Sequence, residues 1–361
     1  MSKLQCVCLS IFVCMSAWVS SQQLSAPTGT APIISTRAPA DVARPIALDV
    51  LVTNRAGKPV AGLEPTDFTI LDNNEPRKIL AFRRTDGAIG SRIDPPVEVI
   101  IVLDAVNLPY QGVTQLRLDV EKFLRQNGGH LAQPTSLFIF SSQGLHVQPA
   151  PSRDGNALAT MLDQATGTVR SRGTAADVFG LAEQFQASLK TIAGIAENEA
   201  HKPGRKLLIW IGPGWPLLTD PHFIESNESR QNYFRSVIAL SKELREGRVT
   251  VYSLYSIVGV TSRGLWEAYV KPLRDPRKAE TGNLALQVLV TETGGRVIDP
   301  STDVPAQINN CLSDIGTYYS LSFPPSAHAT ADEYHALKIE VAQPDLLVRT
   351  STGYYNQPAQ H

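Results

Sequence analysis

From Ile46 the chain alternates, with Ile46, Leu48, Val50 and Val52 on one face and Asp49 and Thr53 among the residues on the other. That period predicts a half-buried strand, closed by the turn-forming run NRAGK (54–58). Next, DFTIL (67–71) and RKILAF (77–82) flank DNNEP (72–76), the pattern of a hairpin. A second run of short strands is predicted near the other end. It comprises YYSLSF (318–323), HALKIEVA (335–342) with Leu337, Ile339 and Val341 alternating against Lys338 and Glu340, and LLVRTSTGYY (346–355). The first run alone cannot close a core. Both runs are therefore expected to pair into one β-sandwich, with the middle of the chain inserted between them.

The middle has a different rhythm. EVIIVL (98–103), SLFIF (136–140), KLLIWI (206–211) and VTVYSLY (249–255) are short apolar runs, as strands covered on both faces require. Between them, Leu116, Val120, Phe123 and Leu124 share one helical stripe, and Val178, Leu181, Phe185 and Leu189 share another. A helix over 284–290 and the segment TGGRVI (293–298) complete the alternation as a last helix and strand. The expected fold is α/β, a doubly wound, mostly parallel sheet with an additional β-sandwich formed by the N- and C-terminal segments. The expected boundaries are 44–90 and 317–356 for the two sandwich segments and 95–316 for the inserted domain, with RTDGAIGSRIDPP (84–96) as the link.

The first residues read as a targeting segment. Lys3 precedes about sixteen mostly apolar residues, fewer than the roughly 20 of a spanning helix, and small residues follow at Val19, Ser20 and Ser21. Residues 1–21 are expected to be a signal peptide, the rival reading being an uncleaved anchor, and the Pro/Ala/Ser/Thr-rich 22–43 an extended linker. The protein is thus expected to be secreted, periplasmic or held in the cell envelope, with no membrane span after cleavage. Of four cysteines, Cys6, Cys8 and Cys14 lie in the leader, so the mature chain keeps Cys311 alone, expected as a small core residue on a helix. With 33 basic and 34 acidic residues in 361, charge argues against nucleic acid or an anionic membrane as partner.

Ligands of open α/β sheets bind beyond the carboxyl ends of the strands. Those ends carry Asp104 in VIIVLDAVNL (99–108), SSQG (141–144) and GPGWP (212–216). LDAVN, SRGTAADV (171–178), GRKLLIWIGPGWP (204–216), TGGRV and the closing EYHALKIEVAQPDLLVRTSTGYY (333–355) occur in an order that resembles a von Willebrand factor A domain. More narrowly, from about Ile46 to Tyr355 the chain resembles the secreted bacterial, acidobacterial-type subfamily called VWFA-related.

The resemblance implies a metal-ion-dependent adhesion site built from Asp-x-Ser-x-Ser, a threonine and a further aspartate. Hard Mg²⁺ takes oxygen ligands, and a partner carboxylate completes its octahedron. Here Asp104 and Thr174 match, Val106 and Leu108 stand at the serine positions, and Gly212 to Gly214 stand where the last aspartate belongs. A degenerate site follows, with no cofactor and with Asp104 and Thr174 as vestiges. Asp104, Asn107 and Thr174 also fit capping and turn roles. As partner-binding candidates the strand ends offer Asp104, Asn107, Thr174, Gly212, Gly214 and Trp215, the tryptophan serving either as a lid over the strand ends or as an exposed anchor.

Seven scattered histidines form no HExxH, and no nucleophile elbow, phosphate loop or dinucleotide fingerprint is present. His328 and His335, which flank TADE (330–333), read as solvated loop residues, and KELREGR (242–248) as a solvated helix end. The expected function is a non-enzymatic interaction or adhesion module for a protein or cell-surface polymer. The alternative is a secreted hydrolase with a dispersed active site.

Overall fold

In the computed structural model, which describes residues 44–86, 95–148, 150–166, 178–218, 226–254, 266–299, 301–326 and 329–356, the first element is strand β1 (Ile46–Thr53). Strands β2 (Phe68–Asp72) and β3 (Glu75–Arg77) form the expected hairpin. Asn73 and Asn74 make its turn at φ 50° and 66°, the positive values that a two-residue turn between twisted strands requires and that asparagine tolerates. RKILAF does not continue as one strand, because it breaks before β4 (Ala81–Asp86), which joins a different sheet.

The α/β segment follows. It runs through β5 (Glu98–Asp104), α1 (Tyr110–Leu124), β6 (His130–Ser141), β7 (Gly144–Val147), β8 (Ser152–Asp154), α2 (Gly155–Thr166), α3 (Val178–Ala200) and β9 (Lys206–Ile211). After these come α4 (Asn227–Glu246), β10 (Val249–Leu254), α5 (Leu286–Glu292) and α6 (Val304–Leu312). The chain closes with β11 (Thr317–Phe323), β12 (Tyr334–Val341), β13 (Leu347–Arg349) and β14 (Gly353–Tyr355).

The central sheet has the order β10-β9-β5-β6-β7, or 3-2-1-4-5 read from the other edge and numbered within the sheet. Strands β5, β6, β9 and β10 are parallel, and β7 runs antiparallel beside β6. Both faces are apolar because both are covered. Ile101, Leu103, Ile139 and Ile209 meet α1, α2 and α6, whereas Ile100, Val102, Leu208 and Trp210 meet α3, α4 and α5. The runs without polar alternation are explained by this double covering. Cys311 lies on α6 and is fully buried.

Two expectations fail locally. TGGRVI contributes one parallel bridge, Ser253 to Val297, rather than a strand. There the backbones come so close that a Cβ on Gly295 would fall 1.7 Å from the Val251 carbonyl oxygen. LLVRTSTGYY divides into β13 and β14, which belong to opposite sheets.

Strands from both ends build two four-stranded antiparallel sheets, β13-β1-β11-β4 and β14-β12-β2-β3. Val50, Phe68, Ile70, Tyr319, Phe323 and Ile339 fill the space between them. KELREGR is not simply solvated. Its last residue, Arg248, binds Asp49 of β1 and donates to Ser320 Oγ of β11 at 2.9 Å, tying the end of α4 to the sandwich. On a second tie, Asp314 pairs with Arg349 at 2.8 Å and accepts from Tyr252 Oη at 2.8 Å. Among the described residues no helix is long and apolar enough to cross a membrane.

Candidate functional site

Strand β5 delivers Asp104 to the point where the sheet order reverses, between β6 on one side and β9 on the other. The residue is fully buried. Its Oδ1 accepts from the backbone N–H groups of Val106 at 3.1 Å and Asn107 at 3.0 Å. Its Oδ2 accepts from Asn107 Nδ2 at 2.8 Å and Trp210 Nε1 at 2.9 Å. Four donors use the four lone-pair positions of the carboxylate. Burial raises the Asp104 pKa above the ordinary carboxylate value, and the bonds from Asn107, Trp210 and Val106 oppose that rise.

The neighbouring positions carry aliphatic side chains, which have no oxygen to offer. Val106 is buried among Phe138, Phe140 and Trp210 on one side of the sheet, and Leu108 among Leu103, Val113 and Leu116 on the other. A Cβ on Gly212 would lie 2.7 Å from Asp104 Cβ, so no aspartate fits there without displacing the first one. Among the described residues no cluster of three His, Cys, Asp or Glu side chains is arranged to hold a metal ion. Thr174 lies outside the described residues.

Asn107 is brought together with Asp104, and its Nδ2 also reaches Ser188 Oγ on α3 at 3.0 Å. Gly214 takes φ 78° and passes close to Leu286, where a Cβ would sit 3.2 Å from that residue's Cβ. Trp215 is not an exposed anchor. It is 5% exposed, donates from Nε1 to the Leu284 carbonyl at 2.9 Å, and meets Trp210 edge to face at 5.5 Å. Trp215→Phe is expected to lower stability by about 1–3 kcal/mol through the unpaired carbonyl. Urea denaturation reads this directly, and a loss under about 0.5 kcal/mol would show that the bond carries no weight.

Among the described residues, the exposed aromatic of this end is Tyr110, 69% accessible as the first residue of α1. It stands three residues before Val113, in phase with the buried stripe, and so reads from sequence as core. As the opening residue of the helix it has no preceding turn over it.

His335 is also misplaced by the sequence. It lies on β12, 3% exposed, with Nδ1 2.7 Å from Asp72 Oδ1 and its ring stacked on Tyr354 at 4.9 Å. Tyr354 Oη donates to Asp72 Oδ2 at 3.0 Å. The Nε2 atom has no hydrogen-bond partner among the described residues, so the imidazole holds no hydroxyl or thiol there. His328 lies outside the described residues.

No protein-family model matches the chain, and no curated protein matches its sequence. Among solved structures, it is similar to manganese-loaded Plasmodium vivax TRAP protein, with 11% identity, TM-score 0.33, and 76% of this chain and 97% of that one covered. It is similar to the pilus adhesin SpaC from Lactobacillus rhamnosus GG, with 12% identity, TM-score 0.34, and 81% and 49% covered. It is also similar to the VWA domain of SpRpn10, with 14% identity, TM-score 0.24, and 46% and 78% covered. The chain spans about half the length of the adhesin. Structural neighbours thus include a VWA domain and an adhesin, at low identity and low score.

Proposed function

We propose that the chain is a secreted, non-enzymatic interaction module of the VWFA-related kind, in which the metal position has become a hydrogen-bonded structural node. The observation that carries this is the Asp104 carboxylate, filled by four N–H donors and flanked by buried Val106 and Leu108. The strand order with helices on both faces supports a doubly wound reading of 95–316. The two antiparallel sheets, each built from strands of both 44–90 and 317–356, support a sandwich into which that domain is inserted. Export rests on the apolar leader that ends near Ser21. The contact surface is the loop face beyond the strand ends, with Tyr110 as its projecting aromatic; its partner is a protein or cell-surface polymer.

Two measurements test this. The unfolding temperature is expected to be the same in Mg²⁺, Mn²⁺ or chelator, since a ligand that binds only the folded state raises it. A saturable rise that Asp104→Asn abolishes would defeat the structural-node reading. In crosslinking on intact envelopes, Tyr110→Ala is expected to lose the partner adducts of the native chain. Equal adducts would remove this face as the contact surface. Tyr110 suits the test because, unlike Asp104 and Trp215, it is not part of the core.

A further inference from the structure

Among the described residues, strand β7 is an edge strand of the central sheet, and α3 runs along one side of it. Its hairpin with β6 turns through two residues, Ser142 and Gln143, and pairs Ser141 with Gly144 and Ile139 with His146. The bond from Gln148 N–H to the Leu137 carbonyl, at 3.4 Å, continues that alternation. In an antiparallel pair, alternate residues exchange bonds with the neighbour and those between them face away. The amides and carbonyls of Leu145 and Val147 therefore point out of the sheet.

Beside this edge is a cavity of about 390 Å³, walled by Val106, Phe140 and Leu145 on the sheet side and by Ala187, Thr191 and Gly194 on α3. Val147 shares the face of Leu145 and is 44% exposed, so the apolar strip runs past the cavity along the edge. Among the described residues, the one charged side chain lining the cavity is Lys190, exposed on α3. A Cβ on Gly194 would meet nothing within 4 Å, which leaves the wall open at that turn.

Edge amides spaced two residues apart match another polypeptide and not a compact small molecule. An apolar cavity beside them takes one of its alternate side chains. The cation selects the sign of the next. We propose that the groove between α3 and β7 binds an extended peptide segment of a partner protein, which adds a strand to β7, sets an apolar side chain into the cavity and places a carboxylate beside Lys190. This rests on the interaction-module reading and names the partner's chemistry at a surface separate from Tyr110.

The test uses the full chain and a blocked, soluble peptide, Ac-TVTETVTVT-NH2, whose glutamate shares a face with its valines, against its counterpart with lysine in place of glutamate. Peptide titration is followed by amide exchange and by chemical shifts. Slowed exchange at Leu145 and Val147 is expected, with the glutamate peptide bound about fivefold more tightly. Val147→Pro removes only an outward amide, which an edge strand tolerates, and Gly194→Leu fills open space on an exposed helix position. Each is expected to weaken binding about tenfold or more. Lys190→Glu is expected to reverse the preference between the two peptides. Equal affinity for both peptides in the native chain, or native affinity in both Val147→Pro and Gly194→Leu, overturns the proposal. So does concentration-dependent protection of Leu145 and Val147 without peptide, which would put a second copy on the edge. None of these outcomes alters the Tyr110 crosslinking result, so failure of the groove and failure of the module reading are separately visible.

Discussion

Asp104→Ala is expected to destabilise the protein by about 3–5 kcal/mol, the scale for removing one side of a buried charged hydrogen-bond network. The substitution strands four donors at once: the amides of Val106 and Asn107, Asn107 Nδ2 and Trp210 Nε1. Water cannot readily replace the carboxylate, because Ala105, Val106 and Gly212 close around it. Asp104→Asn should cost roughly half as much, since an amide keeps one accepting oxygen but turns its NH2 toward the other pair of donors. Urea unfolding at neutral pH separates the two variants. Equal, small losses in both would show that the bonds are not formed, and recovery of either by Mg²⁺ would revive the metal reading.

The second large effect depends on pH. Glu292 ends α5 close to Tyr334 and Tyr355, and burial pushes its carboxyl up to about 7 from an ordinary 4.5. Between those two values the folded chain holds a proton that the unfolded chain has released, so stability falls as pH rises through that window. The full loss is about 3 kcal/mol, present above the folded pKa and absent below the unfolded one. Glu292→Gln should match the native protein near pH 4 and exceed it by that amount near pH 8. Parallel urea midpoints for the two proteins across this range would place Glu292 in contact with water.

The contrast between Asp104 and Trp215 shows what the sequence made legible. The apolar runs of β5 and β9 announce strands covered on both faces, and an aspartate closing such a run marks a strand end. Val106 and Leu108 already exclude two oxygen ligands, because an aliphatic side chain has none to give. Trp215 sits among glycines and prolines, which signal a loop but not what that loop packs against; Trp210 and Leu284 decide that. The pairing of Asp72 with His335 spans 263 positions and leaves no periodic trace. Strand β7 is short, and the alternation of Leu145 and Val147 with Gly144 and His146 covers only four residues, too few to stand out as a strand. Ser188, which holds Asn107 from α3, reads as an ordinary helix residue until the two elements meet.

The position of β1 sets an order in time. Both of its neighbours in the sheet, β11 and β13, come from the far end of the chain. During synthesis or vectorial export, Ile46–Thr53 therefore emerges first and waits for its partners. Closing so long a flexible loop costs about 5 kcal/mol of chain entropy. An α/β segment that has already folded brings Glu98 and Ile315 to fixed points of one body, shortening the segment that must still be searched. Translation halted before Thr317 would leave that body carrying β1 and β2 as half-built sheets with open edges, the form most prone to pair with another chain.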